Sequence, residues 1–142
     1  MNSIEQQRFL YADLSHQYLK NKVRQPKTET PRGSRPWTYY TYKVEVAIFG
    51  EDFHEAPTIH ELDVRLSDEE YLRLLQWQLQ NPTAGFNHYD IDTEAKINIE
   101  YEVEDKLFED SDIGTYAVYL TEIRRDAETI LRSLNEKNNT VV

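Results

Sequence analysis

The stretch Trp37-Thr38-Tyr39-Tyr40-Thr41-Tyr42-Lys43-Val44-Glu45-Val46-Ala47-Ile48-Phe49 decides how the chain folds. Tyr40, Tyr42, Val44, Val46 and Ile48 alternate with Tyr39, Thr41, Lys43 and Glu45. Successive side chains of a strand point to opposite faces, so this pattern predicts a strand with one buried and one solvated face. The β-branched and aromatic residues reinforce it.

Downstream, Gly50 begins a turn that runs to Pro57. A second strand follows, with Leu62, Val64 and Leu66 inward and Glu61, Asp63 and Arg65 outward. The two are close in sequence, so they form a hairpin. Ser67-Asp68-Glu69-Glu70 is a helix start: a Ser cap, a Glu three residues on, and acids near the positive end of the dipole. Tyr71, Leu72, Leu74, Leu75 and Leu79 give a helix over 68–80, ended by Asn81-Pro82. A short strand is expected over 86–92. Another is expected over 95–106, with Ile97, Ile99, Tyr101 and Val103 inward and Lys96, Asn98, Glu100, Glu102 and Glu104 outward. A last strand uses Tyr116, Val118 and Leu120. It leads into a helix over 123–136 with Ile123, Ala127, Ile130, Leu131 and Leu134 on one face, and a frayed tail over 137–142.

Upstream, Pro26, Pro31, Pro36 and Gly33 make 24–36 a linker, because proline lacks the N–H that a helix or inner strand needs. Arg24, Lys27, Arg32 and Arg35 make it basic. Before it, residues 1–23 hold a helix with a stripe of Phe9, Leu10, Leu14 and Tyr18. The expected fold is therefore α+β in a single domain, ordered α-ββα-(β)ββα, with its ββα-ββα body over 37–136. A mainly antiparallel sheet of four or five strands carries helices on one face.

The chain has 142 residues, a net charge of -10 and no cysteine. No disulfide, thiol nucleophile or thiolate metal site can form. About a quarter of the residues are Leu, Ile, Val or Phe, enough for a core. The first residues lack the basic and apolar stretches of a secretory signal, and no apolar run spans a bilayer, so a cytoplasmic protein away from membranes is expected. The charge is uneven. Residues 1–36 carry seven basic and three acidic groups; residues 45–112 carry four basic and nineteen acidic. Acid over the body repels phosphates, so nucleic acid is disfavoured and a protein partner with a basic surface preferred.

The residues give no reaction. His16, His54, His60 and His88 have no standard ligand spacing. The run from Asp90 meets Ala95 and Tyr101 where a calcium loop needs glycine and an acid. Four glycines at 33, 50, 85 and 114 cannot cradle phosphates. No catalytic residue, metal or cofactor is assigned. The aromatics are less ordinary: Trp37, Tyr39, Tyr40 and Tyr42 follow directly on the basic segment, and Tyr, Trp and Arg favour interfaces. The expected binding set is Arg32, Arg35, Trp37, Tyr39, Lys43, Glu100, Glu102 and Tyr119. These features point to a non-enzymatic interaction module of adaptor, chaperone-like or inhibitor/immunity-like kind. The alternative is a small-molecule-binding or enzymatic domain with a pocket between a tyrosine-rich sheet and the helices. A basic arm beside an acidic body also suits a homodimer, with one subunit's arm on the other's sheet, that loosens with salt.

Overall fold

The computed structural model describes residues 3–29, 37–50, 55–83, 93–108 and 115–140. They form helices α1 (Ser3–Asn21), α2 (Asp68–Gln80), α3 (Thr93–Leu107) and α4 (Thr121–Thr140). The strands are β1 (Lys27–Glu29), β2 (Trp37–Phe49), β3 (Thr58–Leu66) and β4 (Thr115–Tyr119). The class is α+β, and every strand pairing is antiparallel.

β2 is the shared strand. β3 runs along it from Tyr40↔Leu66 to Ile48↔Thr58, as the alternation and the hairpin argument require. β4 pairs with Glu45–Phe49 and the three-residue β1 with Trp37–Tyr39. Between those two stretches, the start of α4 supplies partners to Lys43. Its N–H donates to the Glu122 carboxylate at 3.2 Å, and its carbonyl accepts from the Thr121 hydroxyl at 3.1 Å.

One sheet face is apolar. Tyr42, Val44, Val46, Val64, Leu66 and Val118 are buried on it, against Tyr71, Leu74, Leu75 and Leu79 of α2 and Ile123, Ala127 and Ile130 of α4. α2 starts as its sequence dictates: the Ser67 hydroxyl accepts from the Glu70 N–H while the Glu70 carboxylate accepts from the Ser67 N–H. Tyr11, Ser15 and Leu19 bury α1, with Leu14 and Tyr18 half-buried, whereas Phe9 stands exposed. The docking stripe is thus rotated from the expected one. Among the described residues, the buried Ser15 hydroxyl has no hydrogen-bond partner. Ser15→Ala removes an unsatisfied donor at almost constant volume, so it should raise the unfolding free energy by about 1 kcal/mol in a urea melt.

The largest correction concerns residues 95–106, which are not a strand but most of α3. Ile97, Ile99, Tyr101 and Val103 alternate, yet Ala95, Ile99 and Val103 also recur every fourth residue. Helical burial selects that second set: Ala95, Ile99, Glu102 and Val103 are buried, while Ile97 and Tyr101 are exposed. α3 runs along β3. Glu102 accepts from the Arg65 backbone N–H at 2.8 Å and from its guanidinium, and Lys106 donates to the Asp63 carbonyl. Backbone groups that could have paired with a further strand are occupied by side chains. The second half of the body is therefore helix–strand–helix.

One smaller correction follows. Lys27–Glu29 is a short strand within the expected linker. The expected strand over 86–92 lies outside the described residues. Among the described residues, no helix is long and apolar enough to cross a membrane.

Candidate functional site

Asp126 sits on α4 between Ile123, Ala127 and Ile130, so the helix turns a carboxylate into the core together with its apolar stripe. Only 4% of it is exposed. A buried carboxylate requires donors, and three converge on it. The Tyr18 hydroxyl donates to Oδ1 at 2.9 Å. The Tyr71 hydroxyl and the Lys22 ammonium donate to Oδ2 at 2.6 and 2.9 Å. Lys22 also bridges to Glu122 at 3.1 Å. The Tyr71 ring stacks on Tyr42, with centroids 4.8 Å apart and planes 13° from parallel.

The network continues outward. Arg24 pairs with Asp68 at the start of α2 and lies over the Tyr40 ring at 3.8 Å; its Nη1 is 3.5 Å from the Tyr42 hydroxyl. Lys22 and Arg24 belong to the basic first 36 residues, and in the fold they are neutralised by the body's own acids. Burial, then the contact with Asp126, pushes the Tyr18 hydroxyl up to about 12. The same two causes push Tyr71 much higher, and burial raises Tyr42. Each phenol is held neutral, donating to an ionised acceptor or stacked away from water.

Beside this network lies an open cavity of about 490 Å3, lined by His16, Leu19, Lys20, Lys22, Arg24, Tyr40 and Asp68. Among the described residues, no group of three or more His, Asp or Glu side chains could hold a metal ion.

The described members of the expected binding set are spread over β2, α3 and β4. Arg32 and Arg35 lie outside the described residues. Trp37 opens β2 opposite Glu29. Tyr39 is buried, with the Arg65 guanidinium 5.6 Å from its ring centroid. Lys43 is on the same sheet face, solvated and 2.9 Å from Glu61. Tyr119 is half-buried on β4, with the Arg124 guanidinium 5.4 Å from its ring centroid. Glu100 and Glu102 belong to α3 and not to the sheet. Glu102 is spent on Arg65, and Glu100 is 3.9 Å from Lys96 one turn away.

What α3 presents instead is an apolar pair inside an acidic helix. Ile97 and Tyr101, one turn apart, are 58% and 67% exposed. Glu100 and the exposed Asp105 flank them, and α3 carries five acids against two lysines. Two signals in the sequence mark these features. Asp126 is an acid in the middle of an apolar helical stripe. Ile97 and Tyr101 fall off the every-fourth-residue set of Ala95, Ile99 and Val103. Comparison with family models, curated proteins and solved structures finds no match.

Proposed function

We propose that the protein is a non-enzymatic interaction module whose acidic body, through the outer face of α3, engages a protein partner with a basic surface. The carrying observation is the exposed Ile97–Tyr101 pair framed by Glu100 and Asp105. An aromatic and an aliphatic residue at i and i+4 are the anchors by which a helix face enters an apolar groove. Acids around them steer toward a rim of opposite charge. The surrounding chemistry supports the same reading, because Asp126 already accepts three internal hydrogen bonds and two of its donors are tyrosines held neutral. Such a carboxylate serves as a structural tie.

The test is site-specific photo-crosslinking from position 97 in cells, followed by titration with the purified, identified partner. Tyr101→Asp should weaken that partner at least about tenfold. Wild-type affinity should fall with added salt. The variant's own stability should stay within about 0.5 kcal/mol, since Tyr101 buries little. A crosslinked partner that binds Tyr101→Asp as tightly as wild type would overturn the proposal.

One observation favours the second reading, a ligand pocket between sheet and helices. The cavity over Tyr40 carries His16 and Lys20 one helical turn apart at its rim. An anion titration that perturbs those two residues, and leaves α3 unmoved, would select it.

A further inference from the structure

We infer that the projecting start of α1, with the groove it forms against α4, is the interface of a homodimer. This surface is separate from the outer face of α3.

The geometry begins with helix lengths. Arg24, just past the end of α1, meets Asp68 at the start of α2, and the two helices pack side by side. They therefore run antiparallel, and the start of α1 lies toward the end of α2. α1 has 19 residues and α2 has 13, so α1 runs on by about 9 Å at 1.5 Å per residue. Burial agrees: every residue from Ser3 to Leu10 is exposed, and burial begins at Tyr11. Two turns of helix in which every residue is exposed are marginal alone. Yet this segment carries Ile4, Phe9 and Leu10, 61%, 65% and 41% exposed.

Next to it is the matching recess. α1 and α4 touch over only a short length, and between them lies a cavity of about 240 Å3 with Leu14, Ile130 and Leu134 in its lining. Leu10, one turn before Leu14 on the same stripe of α1, carries an apolar projection to the edge of that groove. That is what a two-fold interface requires, because the same patch must supply both sides.

Charge selects a second copy as the occupant. Two molecules of net charge -10 repel over most of their surfaces. Here the charges nearly cancel. Over residues 3–14, Glu5 and Asp13 stand against Arg8; over 128–137, Glu128 and Glu136 stand against Arg132 and Lys137. The sum is a single negative charge, so this is where copies can approach. The interface is apolar and the rest of the molecule self-repelling, so screening strengthens the dimer. An arm-on-sheet dimer would behave in the opposite way.

Sedimentation equilibrium of the full chain at about 50 mM and about 500 mM salt tests this. The expected result is a dimer at least as tight at high salt. Leu10→Glu and Ile4→Glu should each weaken it at least about tenfold, with an unchanged far-ultraviolet dichroism spectrum, because both sites are exposed. Ile97→Asp, on α3, should leave it unaltered. A monomer at both salts up to about 100 μM would overturn the inference, since a contact that weak is no stable interface. So would a dimer that loosens with salt, or one indifferent to both α1 substitutions.

Discussion

Replacing Asp126 with alanine lowers the unfolding free energy by about 3–5 kcal/mol. The substitution deletes one carboxylate and strands three donors. Lys22 loses its most buried partner, and the Tyr18 and Tyr71 hydroxyls lose their shared acceptor. Most of the cost is the desolvation of what remains. Domains of this size have about 5–15 kcal/mol in total, so the variant stands near the edge of folding. Urea denaturation measures it, and Asp126→Asn should fall between wild type and alanine because it keeps one acceptor oxygen. Tyr71→Phe removes only one hydroxyl and should cost about 1–2 kcal/mol. Combined with Asp126→Ala, it should show a coupling of about 0.5–3 kcal/mol, since the two side chains share one hydrogen bond. A loss below about 1 kcal/mol for Asp126→Ala would mean that water replaces the carboxylate freely, and that the network is not what ties α1, α2 and α4 together.

The tyrosines of this network make the fold sensitive to alkali. Tyr18, Tyr42, Tyr71 and Tyr116 are all raised above 10 in the folded state, first by burial. A group whose folded pKa exceeds its unfolded value binds its proton more tightly when folded. Its contribution is therefore complete below about pH 10 and is lost as pH rises through the folded value. Tyr18 sets the window at about 10 to 12, and the other three extend it upward. Each fully shifted tyrosine gives a slope of about 1.4 kcal/mol per pH unit. The two buried, stacked rings, Tyr42 and Tyr71, together give about 3 kcal/mol per pH unit inside that window. Thermal melts from pH 8 to 12 should show a nearly flat midpoint to pH 10 and a steep fall beyond it. Tyr71→Phe should flatten that fall by about half of the two-ring slope. A decline of equal slope in the variant would assign the alkaline loss to other groups.

The elements legible in the sequence are those in which one signal dominates. Trp37–Phe49 has a two-residue alternation, and β2 follows it from Tyr40 to Val46, whereas Tyr39, expected on the solvated face, is buried. Ser67–Glu70 reads as a capping box and is one. The last helix follows from Ile123, Ala127 and Ile130. α3 was misread because two periods overlap in it. Ile97, Ile99, Tyr101 and Val103 fit a strand, Ala95, Ile99 and Val103 fit a helix, and tertiary burial chose between them. The misreading moved Glu100 and Glu102 onto the sheet. It hid that Glu102 occupies the Arg65 N–H and that Ile97 and Tyr101 face out. Counting charge along the chain gave the sign of each segment but not where its charges point. Lys22 and Arg24 turn inward to Glu122, Asp126 and Asp68, so the basic segment partly neutralises its own molecule.

The outer face of α3 is the centre of the functional account, and amide chemical-shift mapping tests it most directly. The uniformly labelled protein is titrated with a basic amphipathic helical peptide of leucine and lysine. Perturbations should gather on Ile97, Glu100, Tyr101 and Asp105, weaken with salt and vanish in Tyr101→Asp. Perturbations confined to the cavity around His16, Lys20 and Tyr40, or spread evenly over the acidic surface, would contradict it.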